Sequence, residues 1–159
     1  MSENSIFNPE NLKCPDEYTI VLEQMRIMAG REARNLELYE YLMQMANNQL
    51  AAQQGMVTNY QILRRNRENA RTNMELLEET YHALTHEALR PIGMEFSRPA
   101  TLRQGVERAF FYEIEDAEIY REMMLNTPVG SLRDRLFFLY SNSRINTDRN
   151  NLLYSRITS

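Results

Sequence analysis

Apolar residues recur at helical spacing through most of the chain. From about Asp16 to Gln54, Val21, Met25, Met28, Leu36, Tyr39, Met43, Ala46 and Leu50 fall on one stripe when the sequence is wound at about 100° per residue. Gly30 interrupts this run without shifting it. A second stripe, Leu63, Ala70, Met74, Leu77, Tyr81, Leu84 and Ala88, predicts a helix over about 58–89. A third, Leu102, Val106, Ala109, Phe110, Ala117, Tyr120 and Met124, predicts one over 101–125. The fourth, over about 131–157, carries Leu132, Leu136, Leu139, Tyr140, Ser143, Thr147, Asn150, Tyr154 and Ile157.

Punctuation agrees with these spans. Pro15 with Asp16 and Glu17 suits a helix start, and Gly55 suits a stop. Thr58 with Gln61 and Thr101 with Gln104 have capping-box spacing, and Ser131 with Asp134 offers a related start. Arg90-Pro91-Ile92-Gly93 ends the second helix, and a longer connection runs on through Pro99. No stretch reads as a strand. The expectation is an all-α protein, an antiparallel four-helix bundle made of two helical hairpins joined by a longer central connection. Residues 1–15 read as a flexible N-terminal arm, and 16–159 as the bundle.

Two carboxylates break the pattern. Glu32 lies at the centre of the first apolar stripe and Glu113, 81 positions later, at the centre of the third. Each is followed seven residues on by a tyrosine on the same face, Tyr39 and Tyr120. A carboxylate on a buried stripe needs a partner or loses its charge. One reading makes Glu32 and Glu113 metal ligands. The other makes them buried carboxyls, at least one protonated, hydrogen-bonded to Tyr39, Tyr120, Ser143 or Asn146.

Folding the hairpins back about their turns shows what faces these groups. With the first turn centred near Met56, Glu32 lies level with residue 80, within Glu78-Glu79-Thr80-Tyr81-His82. Glu79-x-x-His82 puts a carboxylate and an imidazole on adjacent helical turns, the spacing used by helix-bundle di-metal sites. Periodicity points the other way. His82 lies roughly 115° from the apolar stripe of its helix and Glu79 almost opposite it, so both also fit a solvated face, continued by His86. With the second turn centred near Pro128, Glu113 lies level with Ser143.

On Glu32…Tyr39, Glu79-x-x-His82 and Glu113…Tyr120 the chain resembles the ferritin-like superfamily, and within it rubrerythrin-type four-helix proteins. The resemblance implies a carboxylate-bridged di-iron or di-manganese centre with Glu32, Glu79, His82 and Glu113 as ligands. It also implies oxidase, peroxidase or iron-handling chemistry of the oxidoreductase type. Carboxylates suit such hard cations and imidazole completes the coordination. The fourth helix departs from the family pattern: Ser143-Arg144-Ile145-Asn146 stands where Glu-x-x-His is expected, so the di-metal site is partial or degenerate. The alternative is a metal-free structural or interaction protein on the same scaffold, for example a bacterial spore or assembly component.

Composition narrows the field further. The chain has 159 residues, 43% hydrophobic and 25% charged, the balance of a soluble globular domain. A formal charge of −4 gives no basic footprint, so nucleic acid is not an expected partner. The single cysteine, Cys14, excludes an internal disulfide and a Cys-x-x-Cys metal site, and with it the rubredoxin module of full rubrerythrins. Residues 1–15 lack the apolar centre of a signal peptide and no apolar run approaches a membrane span, so a cytoplasmic or spore-associated location is expected. No nucleophilic triad or phosphate-binding glycine loop is present. The expected partners are the metal ion and further copies of the chain, as a homodimer or other homo-oligomer.

Overall fold

The computed structural model describes residues 18–47 and 58–158. It consists of four helices: α1 (Thr19–Asn47), α2 (Asn59–Thr85), α3 (Leu102–Leu125) and α4 (Ser131–Thr158), with no strand among the described residues. The expected arm, the start at Pro15 and the stop at Gly55 lie outside the described residues. The capping box of α2 forms fully: Thr58 Oγ1 accepts from Gln61 N, and Gln61 Oε1 accepts from Thr58 N. At α3 half of it forms. Thr101 Oγ1 accepts from Gln104 N, while Gln104 Oε1 takes the N–H of Ala100 instead. α2 ends earlier than its apolar spacing predicts, at Thr85, because His86 turns left-handed (φ 59°) and closes the helix through its N–H to His82 O.

α1 packs on α2 and α3, and α4 packs on the same two helices, so α1 and α4 sit on one diagonal and α2 and α3 on the other. Cross-helix pairs fix the directions. Glu32, Asn35 and Tyr39 on α1 meet Tyr120, Asp116 and Glu113 on α3, in falling order. Asn66, Asn69 and Asn73 on α2 likewise meet Asn150, Asn146 and Asn142 on α4. All neighbouring helices are therefore antiparallel.

That arrangement makes α2 and α3 parallel, so the chain between them must travel the length of the bundle. Residues 86–101 do so as a strap laid along α1. Ile92 N donates to Arg26 O and Arg26 Nε donates to Arg90 O. Further on, Phe96 packs on the core near the far end of α1 and Arg98 lies over the Tyr41 ring. The α1 stretch from Arg26 to Leu42 rises about 24 Å. The strap from Arg90 to Pro99 reaches about 30 Å if extended, which suffices. Gly30 is where the two backbones touch: a Cβ there would run into the Ile92 carbonyl.

The interior has three layers. One apolar end joins Val21, Met25 and Met28 to Leu77, Leu84, Met123, Leu132 and Leu136. The other joins Leu38, Leu42 and Met43 to Ile62, Leu63, Val106, Ala109 and Leu153. Between them lies a buried polar layer containing Glu32, Asn35, Asn73, Glu113, Asp116, Asn142 and Asn146.

A candidate site of buried carboxyls and amides

Glu32 and Glu113 are 0% and 1% exposed, as their place on the apolar stripes requires. Their partners obey a pseudo-two-fold rule. Glu32 Oε1 accepts from Tyr120 Oη at 2.8 Å and from Asn73 Nδ2 at 2.8 Å. Glu113 Oε1 accepts from Tyr39 Oη at 2.7 Å and from Asn146 Nδ2 at 2.9 Å. Each carboxyl thus takes the tyrosine from the other carboxyl's helix and an asparagine from the partner helix of its own hairpin.

A second tier repeats the symmetry. Asn142 Nδ2 donates to Asn73 Oδ1 at 2.9 Å, and Asn69 Nδ2 donates to Asn146 Oδ1 at 2.9 Å. On the pseudo-axis, Asn35 Nδ2 donates to Asp116 Oδ2 at 2.7 Å. The sequence carries both halves of this pattern. Glu32, Asn35 and Tyr39 match Glu113, Asp116 and Tyr120 at an offset of 81, while Asn69-Ala70-Arg71-Thr72-Asn73 matches Asn142-Ser143-Arg144-Ile145-Asn146 at 73. Of these asparagines the sequence singles out Asn146 alone, as a partner for a buried carboxyl; the others are unremarkable helix residues. The matched spacing was the available signal.

Burial favours the neutral form of both carboxyls. Burial drives the pKa of Glu32 well above the ordinary carboxylate range, and the nearby Glu113 and Asp116 charges raise it further. Burial, then the Asp116 charge, pushes Glu113 up to about 8, against the pull of Tyr39 and Asn146. Ser143 lies close enough to Glu113 to favour its charged form, although Ser143 Oγ completes no hydrogen bond. On both carboxyls one oxygen, Oε1, receives two donors and Oε2 has no partner. A protonated acid has this asymmetry, with a carbonyl oxygen that accepts and a hydroxyl oxygen that carries the proton. Burial also raises the pKa of Tyr39 and Tyr120, so both phenols remain donors.

Asp116 is fully buried yet anchored to cations. Arg31 Nε donates to Asp116 Oδ1, Arg31 Nη2 reaches Glu115 at 2.8 Å, and Arg34 stacks 3.5 Å over the Tyr112 ring with its Nη2 3.9 Å from Asp116. Burial raises the Asp116 pKa and Arg31 draws it back down.

The structure brings Glu32 and Glu113 into one layer, but places Glu79 and His82 on the outward side of α2. The Glu79 side chain is 52% exposed and lies 3.6 Å from the buried Arg135 guanidinium. His82 is exposed and its ring meets the His86 ring edge, with centroids 6.4 Å apart. α2 runs as an unbroken α-helix through this stretch, so nothing rotates the pair inward, and Asn73 and Thr80 take the inward positions. The facing level was misplaced because Glu32 pairs with Asn73, whose midpoint falls near residue 52 and not at Met56. On the other hairpin the expected Ser143 is buried within one turn of the true partner, Asn146.

A carboxylate-bridged di-metal centre does not match these donors. Two carboxyls cannot balance two buried divalent cations. The positions facing them present amide N–H groups, which repel a cation. Among the described residues no group of three or more His, Cys, Asp or Glu side chains is arranged to hold a metal ion. No family model, curated protein or solved structure matches this chain. Among the described residues no helix is long and apolar enough to cross a membrane.

Proposed function

We propose that this chain is a metal-free member of the ferritin-like class, serving as an interaction or assembly subunit and not as an oxidoreductase. The single long crossover between two hairpins is the topology of that class, and the duplicated Glu–Tyr pattern fits its internal two-fold. The observation that carries the reading is the asparagine set. Asn73 and Asn146 aim N–H groups at both core carboxyls, and Glu79 and His82 point away. With the carboxyls neutral, sealed from solvent and hydrogen-bonded, the polar layer sets helix register and holds no reactive group toward a substrate.

The test is elemental analysis of protein purified without chelator, then loaded with iron or manganese. Substoichiometric metal, unchanged in a Glu32→Ala/Glu113→Ala variant, is the expected result. Stoichiometric metal that disappears in that variant overturns the proposal.

One observation favours a second reading, a lone cation held between the carboxyls. Glu32 Oε2, Glu113 Oε2, Ser143 Oγ and Asn66 Oδ1 are four buried oxygens without partners. Under that reading Glu32→Gln lowers the thermal stability of the loaded protein, since a ligand stabilises what it binds. Under the metal-free reading Glu32→Gln is near neutral or stabilising, since it removes a costly buried acid.

A further inference from the structure

Arg34, Arg67 and Arg149 each keep a buried guanidinium N–H that completes no hydrogen bond. A desolvated cation of this kind needs a counter-charge or an acceptor. Two of the three have the counter-charge: Arg34 lies 3.9 Å from Asp116, and Arg67 lies 3.2 Å from Glu68. Arg149 has no carboxylate partner among the described residues. The charged group beside it is another cation, Arg65.

Helix register brings these two arginines level. Asn66 on α2 donates to Asn150 on α4, and Asn69 donates to Asn146, both at 2.9 Å. Arg65 directly precedes Asn66 and lies one turn before Asn69. Arg149 directly precedes Asn150 and lies one turn after Asn146. Arg65 is exposed and Arg149 half-buried, so the pair flanks the outer edge of this amide seam. The acids next along each helix are committed or turned away. Glu68, one turn on from Arg65, is taken by Arg67 at 3.2 Å and Arg71 at 4.0 Å. Asp148 adjoins Arg149 in sequence but lies about 100° round the helix from it. Burial holds the Arg149 pKa below the ordinary arginine range, the Arg65 charge lowers it further, and Tyr39 pulls it back. Two like charges thus face each other across the groove, with no anionic side chain among the described residues to offset them.

We propose that Arg149 and Arg65 together hold a phosphoryl oxyanion in the groove between α4 and α2, either inorganic phosphate or the phosphate of a small phosphomonoester. A planar carboxylate carries one charge and presents an edge that a single guanidinium fork fills. A tetrahedral dianion offers charge for two guanidiniums and acceptors in two directions. Because Arg149 is only half-buried, such a ligand reaches it from the groove without opening the core. This site lies outside the carboxyl layer, so it goes beyond the assembly role and does not depend on what the core holds.

The test uses the full chain at neutral pH, with inorganic phosphate and, separately, glycerol phosphate as probes, and sodium chloride holding ionic strength constant. Titration calorimetry should show saturable binding of at least one probe, and the melting temperature should rise with it. Arg65→Gln and Arg149→Gln should each weaken that binding by about tenfold or more, the loss of a charge-assisted hydrogen bond. Arg65→Glu supplies the missing counter-charge, so it should raise the melting temperature in chloride and abolish the response to phosphate. Arg64→Gln makes the same charge change as Arg65→Gln on the exposed side of α2 and should leave binding intact. Phosphate also stabilises proteins in general through its exclusion from their surface, but that rise does not saturate and is the same in every variant. Tighter binding of inorganic phosphate assigns the free anion, and tighter binding of glycerol phosphate assigns a phosphomonoester. No saturable binding of either probe, a phosphate response equal in the wild type and Arg65→Glu, or a loss as large in Arg64→Gln as in Arg65→Gln each overturns the proposal. Arg65 is at the surface, so its variants decide the matter even where a change at Arg149 disturbs folding.

Discussion

The two halves of the polar layer share one plan and differ in how it is finished. Behind Glu113 the hydrogen bonds continue: Asn66 donates to Asn150, and Asn150 donates to the Tyr39 hydroxyl, which donates to the carboxyl. Behind Glu32 they stop at Tyr120, which sits in the apolar cluster of Leu77, Met123 and Leu136. Asn35 on α1 is also neutral where Asp116, its counterpart on α3, is charged and draws in Arg31 and Arg34. Symmetry places the carboxyls, and local surroundings then set how hard each is to ionise. Burial raises both carboxyls: Glu32, with Glu113 and Asp116 beside it, well above the ordinary range, and Glu113, with Asp116 beside it, to about 8.

The largest expected effect is on pH dependence. A carboxyl whose folded pKa lies above its unfolded value stabilises fully below the unfolded pKa. Above that pKa the unfolded chain releases the proton and the fold does not, so stability falls as pH rises. For Glu113 the loss runs from the ordinary carboxylate range up to about 8, at about 1.4 kcal/mol per pH unit. Urea midpoints measured between pH 5 and 8 should fall in the wild type, and Glu113→Gln should flatten that fall. An unchanged slope in the variant would show that Glu113 is ionised throughout.

Next is the broken symmetry on the axis. Asp116→Ala strands Arg31 and Arg34 against the core and should cost about 3 kcal/mol in denaturant unfolding. Asn35→Ala removes the hydrogen bond to Asp116 and the one accepted from Arg34, with no charge left unpaired, and should cost less, about 1.5 kcal/mol. Equal costs would mean that the two halves are equivalent after all.

Smaller still is the difference between the tyrosines. Tyr39→Phe leaves both Glu113 and Asn150 short of a partner and should cost about 2 kcal/mol, against about 1 kcal/mol for Tyr120→Phe, where only Glu32 loses a donor. Thermal melts of the two variants at one pH resolve the order. Smallest of all, His82→Ala changes an exposed residue of α2 and should shift stability by no more than about 0.5 kcal/mol. A larger loss would connect the outer face of α2 to the core.

The four helices were legible because periodicity and caps agreed, and Glu32, Glu113, Tyr39 and Tyr120 because charge or hydroxyl on an apolar stripe stands out. Ser143 and Asn146 stood out as polar residues facing Glu113, but the rest of the layer was not legible, for two reasons. Hairpin levels were counted from Met56, and any error in a turn centre doubles at the facing helix, which put Glu79 and His82 where Asn73 belongs. On α1, Leu38 and Leu42 are buried although they lie off the predicted stripe. Leu42 lies against Gly105 of α3, which Pro99 of the strap also approaches, contacts that no single-helix pattern encodes.

That strap gives α1 an unusual position. With α2 and α3 on its inner sides and residues 86–101 along its outer one, its middle has almost no side turned to water: Met28, Ala29, Gly30, Glu32, Arg34, Asn35, Leu38 and Tyr39 are all buried. In hydrogen exchange the backbone amides from Gly30 to Tyr39 should open last, and only together with the whole fold. The link between the two hairpins is thereby also their clamp, and α1 is the pin it holds in place.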